Sequence, residues 1–260
     1  MTDTCVRLGI TARVATVTLD RPPVNALSEQ MYREIGDTFR QLGSNPDVSA
    51  VVVTSSNPRV FCAGADIREV ADVVGQRRAD ADAARQVLAR EVFDQILSLP
   101  RPTIAAVAGY ALGAGAVIAA CCDMRVGSPQ TRIGLPEINV GRCGGARHLM
   151  RLLPQGVVRQ LYFTGDPLGS DDAFRLGLLN SVHDPAQVDD AAQALAQVIA
   201  AKSPVALRVG KASLNACESL PVREGYALEQ QHTLELARTD DAREALAAML
   251  EKREPRFTGH

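Results

Sequence analysis

A chain of 260 residues, 46% of them hydrophobic and with a formal net charge of −2, is long enough to bury a substantial apolar interior, as one large domain or as a core with an appendage. The near-neutral charge argues against a nucleic-acid binder, which needs a basic face to neutralise phosphates. No apolar run reaches the roughly 20 residues that span a bilayer; the nearest, from Ile104 to Cys122, is interrupted by Gly109, Gly113 and Gly115 and closed by Asp123.

The opening stretch MTDTCVRLGI has no basic region followed by an apolar core, so no secretory signal is expected. Val6–Ile10 and Val14–Leu19 read as two strands of a hairpin. Arg21-Pro22-Pro23 breaks that pattern, and Ser28 is placed to cap a helix to about Leu42, with Met31, Ile35, Phe39 and Leu42 on one face. Ala50–Thr54 is a β-branched run of the kind buried in a sheet, followed by a polar turn over Ser55–Arg59. Ala79–Leu99 has a helical period ended by Pro100 and Pro102. Thr103–Val107 reads as another buried strand and Leu112–Cys122 as a small-residue helix. A further helical stretch is expected over Ala146–Leu153.

From Pro185 onward the pattern is almost entirely helical, with capping signals at Ser203-Pro204 and Thr239-Asp240. This order predicts a layered α/β core over residues 1–200 and a helical region over 201–260. Amphipathic segments such as Val222–Ala237, with Tyr226, Leu228 and Leu234, point to self-association there. The six cysteines, at positions 5, 62, 121, 122, 143 and 217, show no C-x-x-C spacing. Buried thiols in a reducing cytoplasm fit them, and no clustered ligands predict a metal site.

Two glycine-centred segments are suited to chemistry: Phe61-Cys62-Ala63-Gly64-Ala65-Asp66-Ile67 after a strand, and Ala108-Gly109-Tyr110-Ala111-Leu112-Gly113-Ala114-Gly115 before a helix. Small residues let a ligand approach the main chain, and a helix starting near Gly113 leaves its first N–H groups unpaired. Two such donors converging on one oxygen make an oxyanion hole. Tight helix–sheet packing is the alternative use of the same glycines. The dinucleotide fingerprint is incomplete, since the third glycine is missing.

The successive segments LDRPPVNALS, VFCAGADIREV, RPTIAAVAGYALGAG, CDMRVGS, IGLPEINVG, FTGDPL and EKREPRF resemble, in order and spacing, the motifs of the crotonase (enoyl-CoA hydratase/isomerase) superfamily. The resemblance runs from about residue 5 to the C-terminus. It implies a crotonase-like spiral of β-β-α repeats with a C-terminal helical oligomerisation region, assembled as a homotrimer or a dimer of trimers. It also implies an acyl-CoA substrate, with coenzyme A part of the substrate and no separate cofactor. Carried over by position, the oxyanion donors fall on the backbone N–H groups of Ala65 and Ala114. Pro23, Val24, Cys62, Ala63, Asp66 and Ile67 match positions near the coenzyme A moiety.

Hydratases of this family carry two glutamates. One is matched by Glu137, in Gly134-Leu135-Pro136-Glu137; the other aligns with Val117, which cannot transfer a proton. The pattern therefore most resembles a double-bond isomerase with Glu137 as sole acid/base. The alternatives are a hydratase working with one glutamate, or a non-catalytic acyl-CoA-binding protein. Residues 140–148 depart from the family's usual loop, which borders the acyl pocket, so Arg142 or His148 is a candidate acyl contact. Cys143 has no activating partner at a recognisable spacing.

Overall fold

The computed structural model describes residues 4–260. β1 (Val6–Thr11) and β2 (Val14–Leu19) pair antiparallel, turned by Ala12 and Arg13 in left-handed backbone conformations. The Ser28 hydroxyl accepts the Met31 N–H at 3.2 Å and so caps α1 (Glu29–Ser44). Met31, Ile35, Phe39 and Leu42 form its buried face, as their spacing predicts.

Three units then repeat one theme. The first is β3 (Ala50–Ser55), β4 (Val60–Cys62), α2 (Ile67–Gly75) and α3 (Ala79–Ser98). The second is β5 (Thr103–Val107), β6 (Tyr110–Leu112) and α4 (Ala114–Cys121). The third is β7 (Met124–Gly127), β8 (Arg132–Gly134), a 3₁₀ helix (Pro136–Val140), α5 (Ala146–Leu149) and α6 (Gln155–Thr164). β9 (Leu168–Gly169), α7 (Ser170–Arg175), β10 (Ser181–Val182) and α8 (Val188–Ala200) complete the layered part.

The first strand of each unit joins a six-stranded sheet of order β1-β2-β3-β5-β7-β10. The second strand joins a four-stranded sheet of order β4-β6-β8-β9. Within each sheet the repeats advance by one parallel strand. That stepwise advance is the β-β-α spiral the resemblance implies. β3 is buried on both faces, with Val51 and Val53 in the main core and Ala50 and Val52 against α8, whose Val188, Ala192, Ala196 and Ala200 cover the other side of the sheet.

Beyond residue 200 the chain is helical: α9 (Pro204–Cys217), α10 (Val222–Leu236) and α11 (Asp240–Glu251). Ser203 and Thr239 cap α9 and α11 through the N–H groups of Ala206 and Ala242. Lys211 anchors α9 to the spiral, its ammonium 2.8 Å from Asp123 and 3.0 Å from the Arg101 carbonyl. Val222, Tyr226, Leu234, Leu246, Met249 and Leu250 stay exposed. Among the described residues, no helix is long and apolar enough to cross a membrane.

Two expected helices are shorter than their apolar patterns. Leu112 ends β6, because the Gly113 N–H still donates to the Gly134 carbonyl at 2.8 Å and the helix begins only at Ala114. The stretch expected over Ala146–Leu153 stays helical only to Leu149 and continues as turns into Pro154, before which helical backbone is disfavoured.

Candidate active site

The spiral brings the β4–α2 turn, the β6–α4 turn and the 3₁₀ helix to one end of the small sheet, around a cavity of about 320 Å³. Gly64 (φ +99°) and Gly113 (φ +54°) make the two turns, and their backbones nearly touch. A Cβ on Gly64 would lie 2.9 Å from the Leu112 oxygen and 3.5 Å from the Ala114 nitrogen. A Cβ on Gly113 would lie 3.7 Å from Gly64 Cα and 2.8 Å from Glu137 Oε1. Any side chain at either glycine would fill the space where two main-chain segments and a carboxylate meet.

Ala65 and Ala114 both line the cavity. Ala114 opens α4, so its N–H has no intrahelical acceptor; the first bond of that turn runs from the Val117 N–H to the Gly113 oxygen. Around Ala65, the Leu27 N–H donates to the Gly64 oxygen and the Asp66 N–H to the Leu27 oxygen. Neither bond uses the Ala65 N–H, and the arrangement is that of two free donors on adjacent turns.

Glu137 is half-buried, in the first turn of the 3₁₀ helix behind Pro136. Its Oε2 is buried without a hydrogen-bond partner. Burial raises its carboxyl above the ordinary range, only partly offset by its own backbone N–H. Val117, in the first turns of α4, is 2% exposed and lines the same cavity. It packs against the loop at Gly145, where a Cβ would sit 2.8 Å from Val117 Cγ2.

Another part of the cavity wall comes from helix side chains that the periodicity did not single out. Arg85, Gln86, Ala89 and Phe93 project from α3, and Tyr32 from α1. Tyr32 is also raised by burial, well above the ordinary tyrosine range, so it stays a neutral phenol. Asp82, one turn before Arg85, accepts from Arg85 at 3.1 Å and from Arg142 at 2.8 Å on both oxygens. These pairings, Arg142 first, hold the Asp82 carboxyl below its usual range.

The residues matched to the coenzyme A position divide. Ala63 and Ile67 line the cavity, whereas exposed Pro23 and half-exposed Val24 do not. These two stand behind it: the Val24 oxygen accepts the Ala63 N–H, and the Pro23 oxygen accepts from Asn57. Cys62 is fully buried, its thiol donates to the Asn25 oxygen, and burial pushes it up to about 12. Its side chain packs against α4, since a Cβ on Gly115 would meet the Cys62 Cβ at 2.7 Å. Asp66 is likewise committed elsewhere, capping α2 through the Arg68 N–H and pairing with Arg21 at 2.8 Å. Arg142 and the exposed Cys143 line the cavity. His148 does not: its ring packs edge-on against Phe93, behind the wall, and burial holds it neutral.

A family model described as Enoyl-CoA hydratase/isomerase matches residues 9–260. The short-chain-enoyl-CoA hydratase of Clostridium acetobutylicum is 34% identical over 248 residues, spanning 93% of this chain and 92% of that protein. A probable enoyl-CoA hydratase of Mycobacterium leprae is 36% identical over 250 residues, spanning 95% of each. The crystal structure of an enoyl-CoA hydratase from Bacillus anthracis superposes with a TM-score of 0.94 at 27% identity, covering 99% of this chain and all of that one.

Proposed function

The chain belongs to the enoyl-CoA hydratase/isomerase family, and we propose that within it this protein moves a double bond along an acyl-CoA, with Glu137 as sole proton carrier. One observation carries this reading. Among the described residues, Glu137 is the one carboxylate lining the cavity, and the position where a second would stand is the buried, apolar Val117.

In this mechanism the Glu137 carboxylate takes a proton from the second carbon of a 3-enoyl thioester. The C–H electron pair moves toward the carbonyl, whose oxygen becomes an enolate held by the Ala65 and Ala114 N–H groups. The protonated Glu137 returns the proton to the fourth carbon, and the double bond comes to rest between the second and third. Nothing is oxidised or reduced and no proton is left over, so the cycle balances without a separate cofactor. A carboxyl raised by burial is a stronger base than one in water, which suits the abstraction step.

A second reading, hydration of a 2-enoyl-CoA with Glu137 alone, is favoured by the hydratase names of the relatives. Product analysis separates the two. Incubation with a 3-enoyl-CoA should give the 2-enoyl isomer faster than a 2-enoyl-CoA gives the 3-hydroxy product. Rapid hydration without isomerisation would promote the second reading, and no turnover of either would favour an acyl-CoA-binding protein. We further propose that residues 201–260 form a self-association region distinct from the 1–200 core, as a homotrimer or dimer of trimers. The exposed apolar residues of α10 and α11 support it, and a monodisperse monomer in light scattering would contradict it.

A further inference from the structure

The α3 side of the cavity carries charge that the proton shuttle does not use. Arg85 and Arg142 bring two guanidinium groups to it, and among the described residues the only carboxylate paired with them is Asp82. With its amide turned to satisfy both, the Gln86 oxygen lies 3.0 Å from Arg85 Nη2 and 3.1 Å from Arg142 Nη2, adding an acceptor without a charge. Two guanidinium charges thus share one ion-pair partner. The Arg85 side chain is 10% exposed, and its Nε is buried without a hydrogen-bond partner. Arg85 and Arg142 line the same cavity as Ala65, Ala114 and Glu137.

A mostly buried guanidinium with an unmatched N–H and a shared counter-charge is costly in the free protein, and an anion in the cavity beside it offsets the charge part of that cost. A plain alkyl chain cannot do so; it would add hydrocarbon to the residual charge and desolvate it further. A carboxylate would neutralise it, and Arg is suited to bind one through paired N–H groups. Ala89, Phe93 and Val70 leave apolar wall for the intervening methylenes. We propose that this site selects acyl-CoA thioesters whose acyl chain ends in a carboxylate, received by Arg85 and Arg142. The proposal rests on the acyl-CoA reading of the site and narrows its substrate class.

The test compares two non-reactive ligands of equal chain length, glutaryl-CoA and pentanoyl-CoA, by calorimetry on the full chain. Glutaryl-CoA is expected to bind at least ~10-fold tighter, the scale of one charge-assisted hydrogen bond in a dry site. Arg85→Met and Arg142→Met should each shrink that ratio several-fold. Because the readout is a ratio of two ligands on one protein, a general loss of affinity cancels. If Arg85→Met does not fold, the wild-type ratio and Arg142→Met still decide. Equal or weaker binding of glutaryl-CoA to the wild type would overturn the proposal while leaving the acyl-CoA reading standing. So would a preference that survives both substitutions. Failure of both ligands to bind would instead remove the acyl-CoA reading, and this proposal with it.

Discussion

The wall formed by the turns at Gly64 and Gly113 offers main-chain donors, whereas the wall formed by α3 and residues 142–145 offers ionised side chains. Donors of the first kind are held by the fold itself, lose no side-chain freedom and do not depend on which small residue carries them. Charges of the second kind depend on side-chain identity and on a network of partners. On the proposed reading, the first wall meets the thioester oxygen that every acyl-CoA shares. The second meets the part of the acyl group that differs between substrates, so the reaction and its selectivity are carried by separate elements.

The strongest test of that division is Glu137, which faces the main-chain wall. Glu137→Gln should lower turnover by ~10²–10⁴-fold while acyl-CoA affinity is largely kept, because the amide preserves shape and loses basicity. The same variant has a stability signature. A carboxyl whose folded pKa is raised stabilises the fold fully below its ordinary pKa, and that contribution is lost as pH rises through the raised value. Above that raised value the wild type therefore holds an ionised, half-buried Glu137 at a cost. Glu137→Gln should melt higher than wild type on the alkaline side of that raised value, with the difference vanishing in acid below the ordinary carboxyl range. A variant with full activity would remove Glu137 from the mechanism.

Next in size is an exchange at the turns themselves. Gly113→Ala places a Cβ 2.8 Å from Glu137 Oε1 on a backbone with φ +54°. The carboxylate or the donor must shift, and turnover should fall by at least ~10-fold, since displacements near an ångström can cost ~10²-fold. Gly144→Ala is the matched control, on the loop that lines the same cavity; its Cβ would meet nothing within 4 Å. Its effect on turnover should stay within about twofold, as expected of a site without a named cost. Steady-state kinetics on both variants would show whether the two positions really differ.

The same division explains how much could be read beforehand. Main-chain function leaves a trace in sequence, because close approach demands small residues, and the segments around Gly64 and Gly113 were visible for that reason. The order of strands and helices followed from β-branched runs, capping residues and prolines. Arg85, Gln86 and Asp82 left no such trace: on a 20-residue helix of mixed polarity they look like any solvated face. Only the spiral brings them to Arg142, 60 positions from Asp82. Tyr32 was hidden differently, lying beside Met31 on a helix face that reads as core. Cys62 and Asp66 show the converse situation. They sit within the motif, but neighbours within the fold already occupy their polar atoms.

Tyr32→Phe should have a smaller effect. Tyr32 lines the cavity as a neutral phenol, so it can donate a hydrogen bond to a ligand but cannot serve as a base near neutral pH. Losing one neutral hydrogen bond, at roughly 0.5–1.5 kcal/mol, corresponds to a change of about 2–10-fold in turnover or affinity. A loss approaching that of Glu137→Gln would make Tyr32 a second acid, and the single-carrier mechanism would need revision.

Asp66 gives the finest discrimination, because two roles can be separated by two substitutions. As the cap of α2 it accepts the Arg68 N–H at 3.0 Å, and as an ion-pair partner it meets Arg21 at 2.8 Å. Asparagine keeps a cap acceptor and loses the charge; alanine loses both. A partly exposed ion pair is worth about 0–1 kcal/mol, and a lost cap about 0.5–2 kcal/mol. Thermal or chemical denaturation should therefore rank wild type above Asp66→Asn and Asp66→Ala lowest. Kinetic constants for acyl-CoA should move less than twofold in either, because no Asp66 atom lines the cavity. The ion pair also has a pH signature. The backbone and Arg21 hydrogen bonds outweigh burial and hold the Asp66 carboxyl below its usual range. Its contribution is then present above the ordinary aspartate pKa and lost as pH falls through the lowered value. The gap between wild type and Asp66→Asn should accordingly close in acid. A large rise in KM with unchanged stability would instead return Asp66 to the ligand, and extend the charged side-chain wall into the turn that otherwise works through its backbone.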